Sequence, residues 1–359
     1  MNFKKIFFKT IVLIFFFQNI GFAQDTNLFA GIEIGSKGVK MTVIDVINIK
    51  KGDFLIKSYW SENAGIARGI SIDGNLALED INKATAIVMS NLIKIKTEFN
   101  VAEDNIFVVG SSGVAMASNI SELVAKIKLV TNKNIEFIDA QTEGKMLLKG
   151  CVPPTEYKNS MVLDIGGGNT KGGYIDVNND ENNFVFFPLS LNYGTVTLTE
   201  AVIKKTKKTE ISEYNEKAFG FLPVLREQIN AMYGTSPVAL EKQKVYWSGG
   251  AVWAFYTLYN GAAKGVFNEF KLEDVINYDA ILKNNFKKFE EIAKTDKDVE
   301  KVLKTYSQKY LISGSNILLV CLEAIPNINE KKLFFAKEGQ IAWLVSYVVD
   351  RSKRIKKVY

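Results

Sequence analysis

The residues best suited to chemistry lie in the stretch 161–173, where an apolar run ends in Asp164 and Gly166, Gly167 and Gly168 follow it. Glycines at a tight turn leave backbone amides uncovered by side chains, so a phosphate group can approach the main chain directly. An aspartate at the end of the preceding strand is placed to hold a metal ion or a water molecule beside that phosphate. The stretch therefore predicts a phosphate-binding turn.

A second stretch of the same kind lies upstream, where an apolar run contains Glu33 and is followed by Gly35, Ser36 and Lys37. Two hairpins that each combine an acid with glycine predict a duplicated fold that grips one phosphorylated ligand between its halves. We expect the two turns to approach within roughly 10–15 Å, the span of a diphosphate with a hydrated metal ion.

The composition limits the chemistry further, because the chain has no histidine. This excludes a Ser-His-Asp or Cys-His nucleophile, a histidine general base and histidine-ligated zinc, and leaves carboxylates, lysine, tyrosine or metal-bound water. Cys151 and Cys321 are the only cysteines. Two cysteines so far apart make no disulfide framework; a buried thiol is favoured at Cys321, and a bridge between the two stays open.

The elements that must position these residues form two similar halves. In the first half, the residue pattern predicts strands at 29–34, 39–46, 54–60, 106–109 and 135–138. It also predicts a helix at 79–99 and, between the last two strands, a helix capped by Ser118 and Asn119. After a Pro-Pro pair at 153–154 the order restarts, with strands at 161–165, 171–177 and 184–190, helical structure at 195–204, and a strand at 244–247 before an apolar helix. Residues 264–309 are predicted to be mostly helical. Such a restart is typical of two homologous lobes.

The segment 1–23 predicts a signal peptide, because three early lysines precede an apolar core at 11–17 that is too short to span a bilayer. Small residues at Gly21 and Ala23 mark a cleavage site, so we expect an exported, periplasmic or secreted chain that begins at Gln24. An uncleaved membrane anchor is the alternative. Cleavage would leave no stable membrane insertion.

Loss of the three lysines in this segment lowers the formal charge from +6 to +3. So small a charge does not argue for a nucleic-acid duplex or an anionic lipid as a partner. The sequence does not decide between a monomer and a homodimer.

The two acid-and-glycine hairpins, with a third Gly-Gly turn before a helix, resemble the actin-like ATPase superfamily, which includes sugar kinases and Hsp70. Within it, the chain most resembles the exopolyphosphatase and guanosine pentaphosphate phosphohydrolase family. The segments that carry the resemblance are 31–41, 108–119, 138–150, 162–172, 191–200 and 245–251, and 336–340 resembles the family's closing Glu-Gly helix. The additional C-terminal helical domains of long members have no counterpart, so the chain resembles a short exported form.

The resemblance implies an α/β fold of the two-lobed actin-like ATPase (ribonuclease H-like) type, with duplicated mixed-sheet domains and an interlobe cleft. Its N-terminal lobe comprises residues 24–153, joined by a C-terminal helix at 336–359, and its C-terminal lobe comprises residues 154–335. The implied activity is Mg²⁺-dependent hydrolysis of a terminal phosphoanhydride of polyphosphate or a nucleotide polyphosphate, with a carboxylate that activates water.

The resemblance also assigns roles to residues. The family's catalytic glutamate falls on Glu143, although a glutamate in the first turn of a helix also complements the helix dipole. Asp164 is the second catalytic candidate, and Asp164 and Glu33 are the candidate metal ligands. The phosphate-binding candidates are Gly35, Ser36, Lys37, Gly166, Gly167, Gly168, Asn169, Thr170 and Lys171. The third turn contributes Ser248, Gly249 and Gly250, where close strand–helix packing is an equal alternative to ligand binding.

Three departures from the family pattern bear on activity. Glu33 stands where the family usually has aspartate, Lys171 where it commonly has glutamate, and Ala115 at the arginine of a phosphate-binding turn. We expect Lys171 to replace the charge of the missing arginine. Two functions stay open: an exported phosphohydrolase, and a catalytically degenerate member that binds a phosphorylated ligand or a protein partner. An ATP-dependent kinase is disfavoured because exported compartments hold little ATP.

Overall fold

The computed structural model describes residues 27–177, 184–203 and 210–355. The predicted signal peptide at 1–23 lies outside these ranges. Within them, no helix is both long enough and apolar enough to cross a bilayer.

The first of two mixed sheets has the strand order β3-β2-β1-β4-β5. Its strands are β1 (Leu28–Ile34), β2 (Gly38–Asn48), β3 (Asp53–Asn63), β4 (Ile106–Gly110) and β5 (Ile135–Phe137). β1, β2 and β3 form an antiparallel meander, and β4 runs parallel to β1 and to β5. The helices of this half are α1 (Ile70–Asp73), α2 (Leu78–Glu98), α3 (Ser112–Ala115), α4 (Ile120–Thr131) and α5 (Ala140–Cys151).

The second sheet has the order β10-β11-β9-β6-β7-β8. Its strands are β6 (Ser160–Ile165), β7 (Thr170–Val177), β8 (Phe184–Leu191), β9 (Lys244–Ser248), β10 (Phe267–Phe270) and β11 (Lys332–Ala336). The helices are α6 (Thr195–Ile203), α7 (Ile211–Gly234), α8 (Gly250–Asn260), α9 (Leu272–Asn284), α10 (Lys287–Ile292), α11 (Lys297–Thr305), α12 (Gln308–Glu323) and α13 (Gly339–Ile355).

The two sheets share one plan. β6, β7 and β8 repeat the antiparallel meander of β1, β2 and β3, and β9 runs parallel to β6 as β4 runs parallel to β1. The first strand of each meander is buried along nearly all of its length, which explains its continuous apolar run. The predicted α/β fold with duplicated mixed sheets in two lobes is confirmed.

Two helices are packed between the sheets and bring the lobes together. A buried cluster contains Leu147 of α5, Trp343 of α13, Ile44 of the first sheet and Val162 of the second. The helices can approach closely because α5 carries a glycine: a Cβ atom at Gly150 would lie 2.6 Å from the Cβ of Ala342. Glu143 is therefore carried on a helix that is fixed by both lobes.

Some predictions of elements need correction. The segment 264–309 is mostly helical, as expected, but it also contains β10, and neither β10 nor β11 was predicted. The closing helix begins at Gly339, after β11 ends at Ala336, rather than at 336. The lobe boundary at 153/154 stays a prediction.

Two smaller expectations concern side chains. Asn119 precedes α4 but does not cap it; its amide instead exchanges hydrogen bonds with the backbone N–H and C=O of Leu76, at 2.8 and 3.0 Å. Cys151 and Cys321 are both buried, unpaired thiols, so the open question of a bridge is answered in favour of free cysteines.

Candidate active site

The glycine turns of the two hairpins lie in direct contact. A Cβ atom at Gly167 would lie 3.2 Å from the Cβ of Ser36 and 3.5 Å from the backbone nitrogen of Lys37. Side chains at Gly167 or Gly168 would fill the space between the turns, so glycine is required there by close approach rather than by backbone angle. The turns face one site, as predicted, but stand closer together than the expected 10–15 Å.

A cleft of about 380 Å³ opens between these turns and the acidic residues. The predicted site residues that line it are Glu33, Gly35, Ser36, Lys37, Asp164, Gly166, Gly167, Gly168, Asn169, Lys171, Gly249 and Gly250. This volume is in the range of sites for small ligands. The structure therefore brings all three predicted turns to one cleft.

Backbone amides at the turns are available to a ligand. Within the described part of the chain, the N–H groups of Ser36, Lys37, Gly167 and Gly168 donate to no protein acceptor. The carbonyl groups of the second turn are held instead, because Gly166 and Gly167 accept from the first amides of α6 at 2.9 Å. Uncommitted amides on a rigid turn form an anion-binding concavity.

Lys37 adds a cation to the first turn. Its Nζ lies 3.2 Å from the centre of the Tyr306 ring and has no hydrogen-bond acceptor within the described residues. Burial lowers the pKa of Lys37 to about 7, while the ring face of Tyr306 favours the charged form. A phosphate bound at the turns would give this ammonium the anionic partner that it lacks.

Glu143 is fully buried behind the wall of the cleft. Its Oε2 accepts from the backbone N–H of Ser112 at 3.0 Å and from the Ser112 hydroxyl at 2.6 Å. Its Oε1 forms an ion pair of 2.7 Å with Lys171 Nζ. The carboxylate of Glu143 is thus held at both oxygens.

The local sequence explains how Glu143 reaches this position. Asp139 caps α5 by accepting from the amide of Thr142 at 2.6 Å, which places Glu143 in the first helical turn. The next residue is Gly144, and a Cβ atom there would lie 2.6 Å from the carbonyl oxygen of Gly172 in β7. This close approach brings Glu143 within reach of Lys171 on the same strand.

Lys171 is the centre of the acidic cluster. It stands directly opposite Asp164 in the β6–β7 register, and its Nζ lies 3.6 Å from Asp164 Oδ1 and 3.4 Å from Asn169 Oδ1. Burial alone would lower the pKa of Lys171, but the charges of Glu143 and Asp164 raise it above its ordinary value. The ammonium therefore stays charged, and its acceptors are protein oxygens rather than an incoming phosphate.

With this geometry established, comparison with known proteins decides the family. The model of the Ppx/GppA phosphatase family matches residues 46–326. The chain belongs to the Ppx/GppA phosphatase family.

Relatives share the family at low identity. The guanosine-5'-triphosphate,3'-diphosphate pyrophosphatase of Aeromonas hydrophila subsp. hydrophila is 24% identical over 149 residues, which are 41% of this chain and 29% of that protein. The match thus spans less than a third of that relative's length.

Solved structures of the family share the fold. The Aquifex aeolicus Ppx/GppA phosphatase (type II variant) aligns with a TM-score of 0.59 at 21% identity, covering 89% of this chain and 98% of that one. An exopolyphosphatase from Cytophaga hutchinsonii aligns with a TM-score of 0.70 at 15% identity, covering 90% and 98%. At these identities the likeness supports the fold alone.

The acids of this Ppx/GppA chain do not fit the Mg²⁺ expected at Asp164 and Glu33. Both oxygens of Glu33 accept from Lys40 Nζ, at 3.2 and 3.3 Å, and burial raises the pKa of Glu33 although Lys40 opposes the shift. Asp164 faces the ammonium of Lys171. Across the described ranges, no cluster of three or more acidic or thiol side chains is arranged to hold a metal ion.

Three assignments made from the sequence need correction. Lys171 was expected to bind phosphate in place of the missing arginine, but it pairs with Glu143 and Asp164. The hydroxyl of Thr170 is buried and donates to the carbonyl oxygen of Tyr193 at 2.8 Å, so it supports the turn from behind. Ser248 is fully buried beside Gly339 and does not line the cleft.

The third turn otherwise shows why glycine is needed. Gly249 has a φ of +94°, and a Cβ atom there would lie 2.7 Å from the backbone nitrogen of Ile165. Close packing thus accounts for the glycine at position 249, and Gly249 also lines the cleft. The two alternatives for this turn are compatible.

Sequence reasoning missed Ser112 and Lys40. Ser112 is the second residue after β4, which runs parallel to β1, and polar residues after neighbouring parallel strands meet at one edge of the sheet. That position was the available signal for Ser112. Lys40 stands opposite Glu33 in the β1–β2 register, which only a correct hairpin pairing reveals.

Proposed function

We propose that this chain hydrolyses the terminal phosphoanhydride of a linear polyphosphate or of a nucleotide polyphosphate. The observation that carries the proposal is the meeting of two turns with uncommitted amides in one cleft, which Asp164 lines and behind whose wall Glu143 lies. Family membership and the similarity to the Aeromonas guanosine-5'-triphosphate,3'-diphosphate pyrophosphatase support the same substrate class.

Different residues of the cleft have different roles in such a reaction. Amides of Lys37, Gly167 and Gly168 bind the oxygens of the terminal phosphates, and the ammonium of Lys37 neutralises charge on the leaving phosphate. Water attacks the terminal phosphorus as the anhydride P–O bond breaks. Glu143 Oε1 accepts the proton from that water after the Lys171 ammonium shifts from its ion pair with Glu143 toward Asp164, which already lies 3.6 Å away.

A second function is favoured by one specific observation. Glu143 Oε2 accepts two hydrogen bonds from Ser112 and Oε1 forms an ion pair with Lys171, and a carboxylate neutralised in this way is a poor general base. The position of the family's arginine is Ala115, which is exposed and does not line the cleft. These features support a member of the family that binds a phosphorylated ligand without cleaving it.

One variant separates the two functions. Glu143→Gln keeps the shape of the side chain but removes the basic lone pair, so phosphate release should fall about 100-fold or more while ligand affinity changes less than about twofold. Release is measured on long-chain polyphosphate and guanosine pentaphosphate, and affinity by calorimetry. Glu62→Gln, a change of the same type on the cleft wall away from Glu143, is the matched control and should retain release.

The outcomes are distinct. Release by the wild type that Glu143→Gln abolishes supports the hydrolase. Binding without release by the wild type replaces it with the binding function. Neither binding nor release with either substrate contradicts both.

A further inference from the structure

The ammonium of Lys171 has the surroundings of a bound cation. Three oxygens from three residues lie within 3.6 Å of its Nζ: Glu143 Oε1 at 2.7 Å, Asn169 Oδ1 at 3.4 Å and Asp164 Oδ1 at 3.6 Å. Carboxylate and amide oxygens are the ligands that hard divalent cations prefer in proteins. The lysine reaches this position because it is the cross-strand partner of Asp164 in the second hairpin.

The ligand oxygens are themselves fixed by a network that crosses between the lobes. The Asn169 amide donates to the Ser112 hydroxyl at 3.0 Å, and that hydroxyl donates to Glu143 Oε2 at 2.6 Å. Asn169 belongs to the second sheet's hairpin, whereas Ser112 begins α3 of the first lobe. The oxygens around Lys171 Nζ are therefore preorganised and do not need a metal ion to assemble them.

We propose that the Lys171 ammonium takes the place of a divalent cation, so that the cleft binds its phosphorylated ligand without Mg²⁺. The inference rests on the proposed phosphate-binding function for its biological meaning, and on the Lys171 geometry alone for its physical claim. The positive charge that neutralises Glu143 and Asp164 is then supplied by the side chain of Lys171.

A metal ion and this ammonium exclude one another. A divalent ion bound to Asp164 or Glu143 would lie about 2 Å from the carboxylate oxygen, in the space that the lysine side chain occupies. The side chain of Lys171 is only 7% exposed, and contacts with Glu143, Asp164 and Asn169 hold its ammonium in this position. The remaining acid, Glu33, is already paired with Lys40.

The inference predicts that removal of the ammonium creates a metal site. The probe is Mn²⁺, titrated into the full mature chain without any phosphorylated ligand and followed by electron paramagnetic resonance. Wild type should bind no Mn²⁺ in the cleft, whereas Lys171→Glu should bind one ion at least about 10-fold more tightly than any site of the wild type. Lys337→Glu makes the same charge change on the wall of the same cleft and should bind Mn²⁺ no better than wild type.

A second variant covers the case in which Lys171→Glu fails to fold. Lys171→Met keeps most of the volume but leaves Glu143 and Asp164 without a cation, so Mn²⁺ should raise its melting temperature and leave that of the wild type unchanged. Wild type that binds one Mn²⁺ as tightly as the variants, or folded variants that gain no Mn²⁺ binding, would overturn the inference. Because no phosphorylated ligand is used, this result is independent of whether the chain binds or hydrolyses polyphosphate.

Discussion

Among the residues of the cleft, Lys37 has a pKa that its surroundings bring close to neutral pH. Burial disfavours the ammonium and lowers its pKa to about 7, far below that of an exposed lysine. The unfolded chain therefore binds the extra proton between pH 7 and about pH 10, so this group contributes stability that rises with pH across that window. Anion binding works in the opposite direction, because an anion favours the charged form.

A pH dependence of ligand affinity follows from Lys37. Polyphosphate binding should weaken as the pH rises from 7 to 8, by up to about 10-fold if binding takes up one proton. The terminal phosphate of long-chain polyphosphate also titrates near neutral pH, but it gains negative charge as the pH rises and so does not itself weaken binding. Lys37→Met should bind more weakly by calorimetry and should lose the weakening above pH 7; an equally steep weakening in this variant would assign the titration to another group.

The sequence alone was sufficient to select Asp164 and the glycine turns from their motifs and Glu143 from the family resemblance, and their catalytic and binding roles stay predictions. It was not sufficient to assign the partners of Lys171. A lysine next to a predicted phosphate-binding turn is expected to bind phosphate. Only the β6–β7 register, together with the approach of α5, shows that it forms ion pairs with two carboxylates instead. Side-chain pairing across separate elements is information that local patterns do not contain.

At the scale of elements, the contact between α5 and β7 sets the position of the acidic cluster. Gly144 packs against the carbonyl oxygen of Gly172, and a Cβ atom there would come within 2.6 Å of it. A backbone carbonyl in the middle of a sheet cannot yield as a flexible side chain does. The helix therefore depends on glycine at this one position, despite the lower helix propensity of glycine.

Two glycine-to-alanine changes test this dependence. Gly144→Ala should destabilise the fold by about 1–3 kcal/mol, because overpacking outweighs the gain in helix propensity. Gly220→Ala, in the middle of α7 where the added methyl would meet nothing within 4 Å, should stabilise it by about 0.5–1 kcal/mol. Urea unfolding measures both, and equal effects of the two changes would contradict the role of the α5–β7 contact.

Strands and helices were predictable where the local sequence has the apolar spacing of that element. The meander strands carry continuous or alternating apolar residues, and α2 has apolar residues at helical spacing, so their positions were predicted within a few residues. β10 and β11 are short strands of four and five residues in surroundings rich in charge and helix. Their pairing with each other and with β9 is determined by the packed sheet and leaves little local signal.

At the scale of the whole molecule, duplication explains why one cleft has two glycine turns. Each lobe repeats a meander that ends its first strand next to a glycine turn, and α5 and α13 pack the repeats against each other. The sequence predicted the duplication, but not that the turns touch. That contact depends on how the lobes are packed, which is set by buried side chains distant from either turn.

Export is the remaining property of the whole chain, and it stays a proposal based on the sequence of residues 1–23. Signal peptidases require small residues at the cleavage site, which Gly21 and Ala23 provide. Mass spectrometry of protein from the extracytoplasmic fraction should therefore find Gln24 as the N-terminus. Ala23→Tyr should block cleavage and leave the chain attached to the membrane, whereas Thr26→Ser, a conservative change beyond the site, should not. Recovery of wild type with Met1 intact outside the cytoplasm would show that the segment is not a cleaved signal.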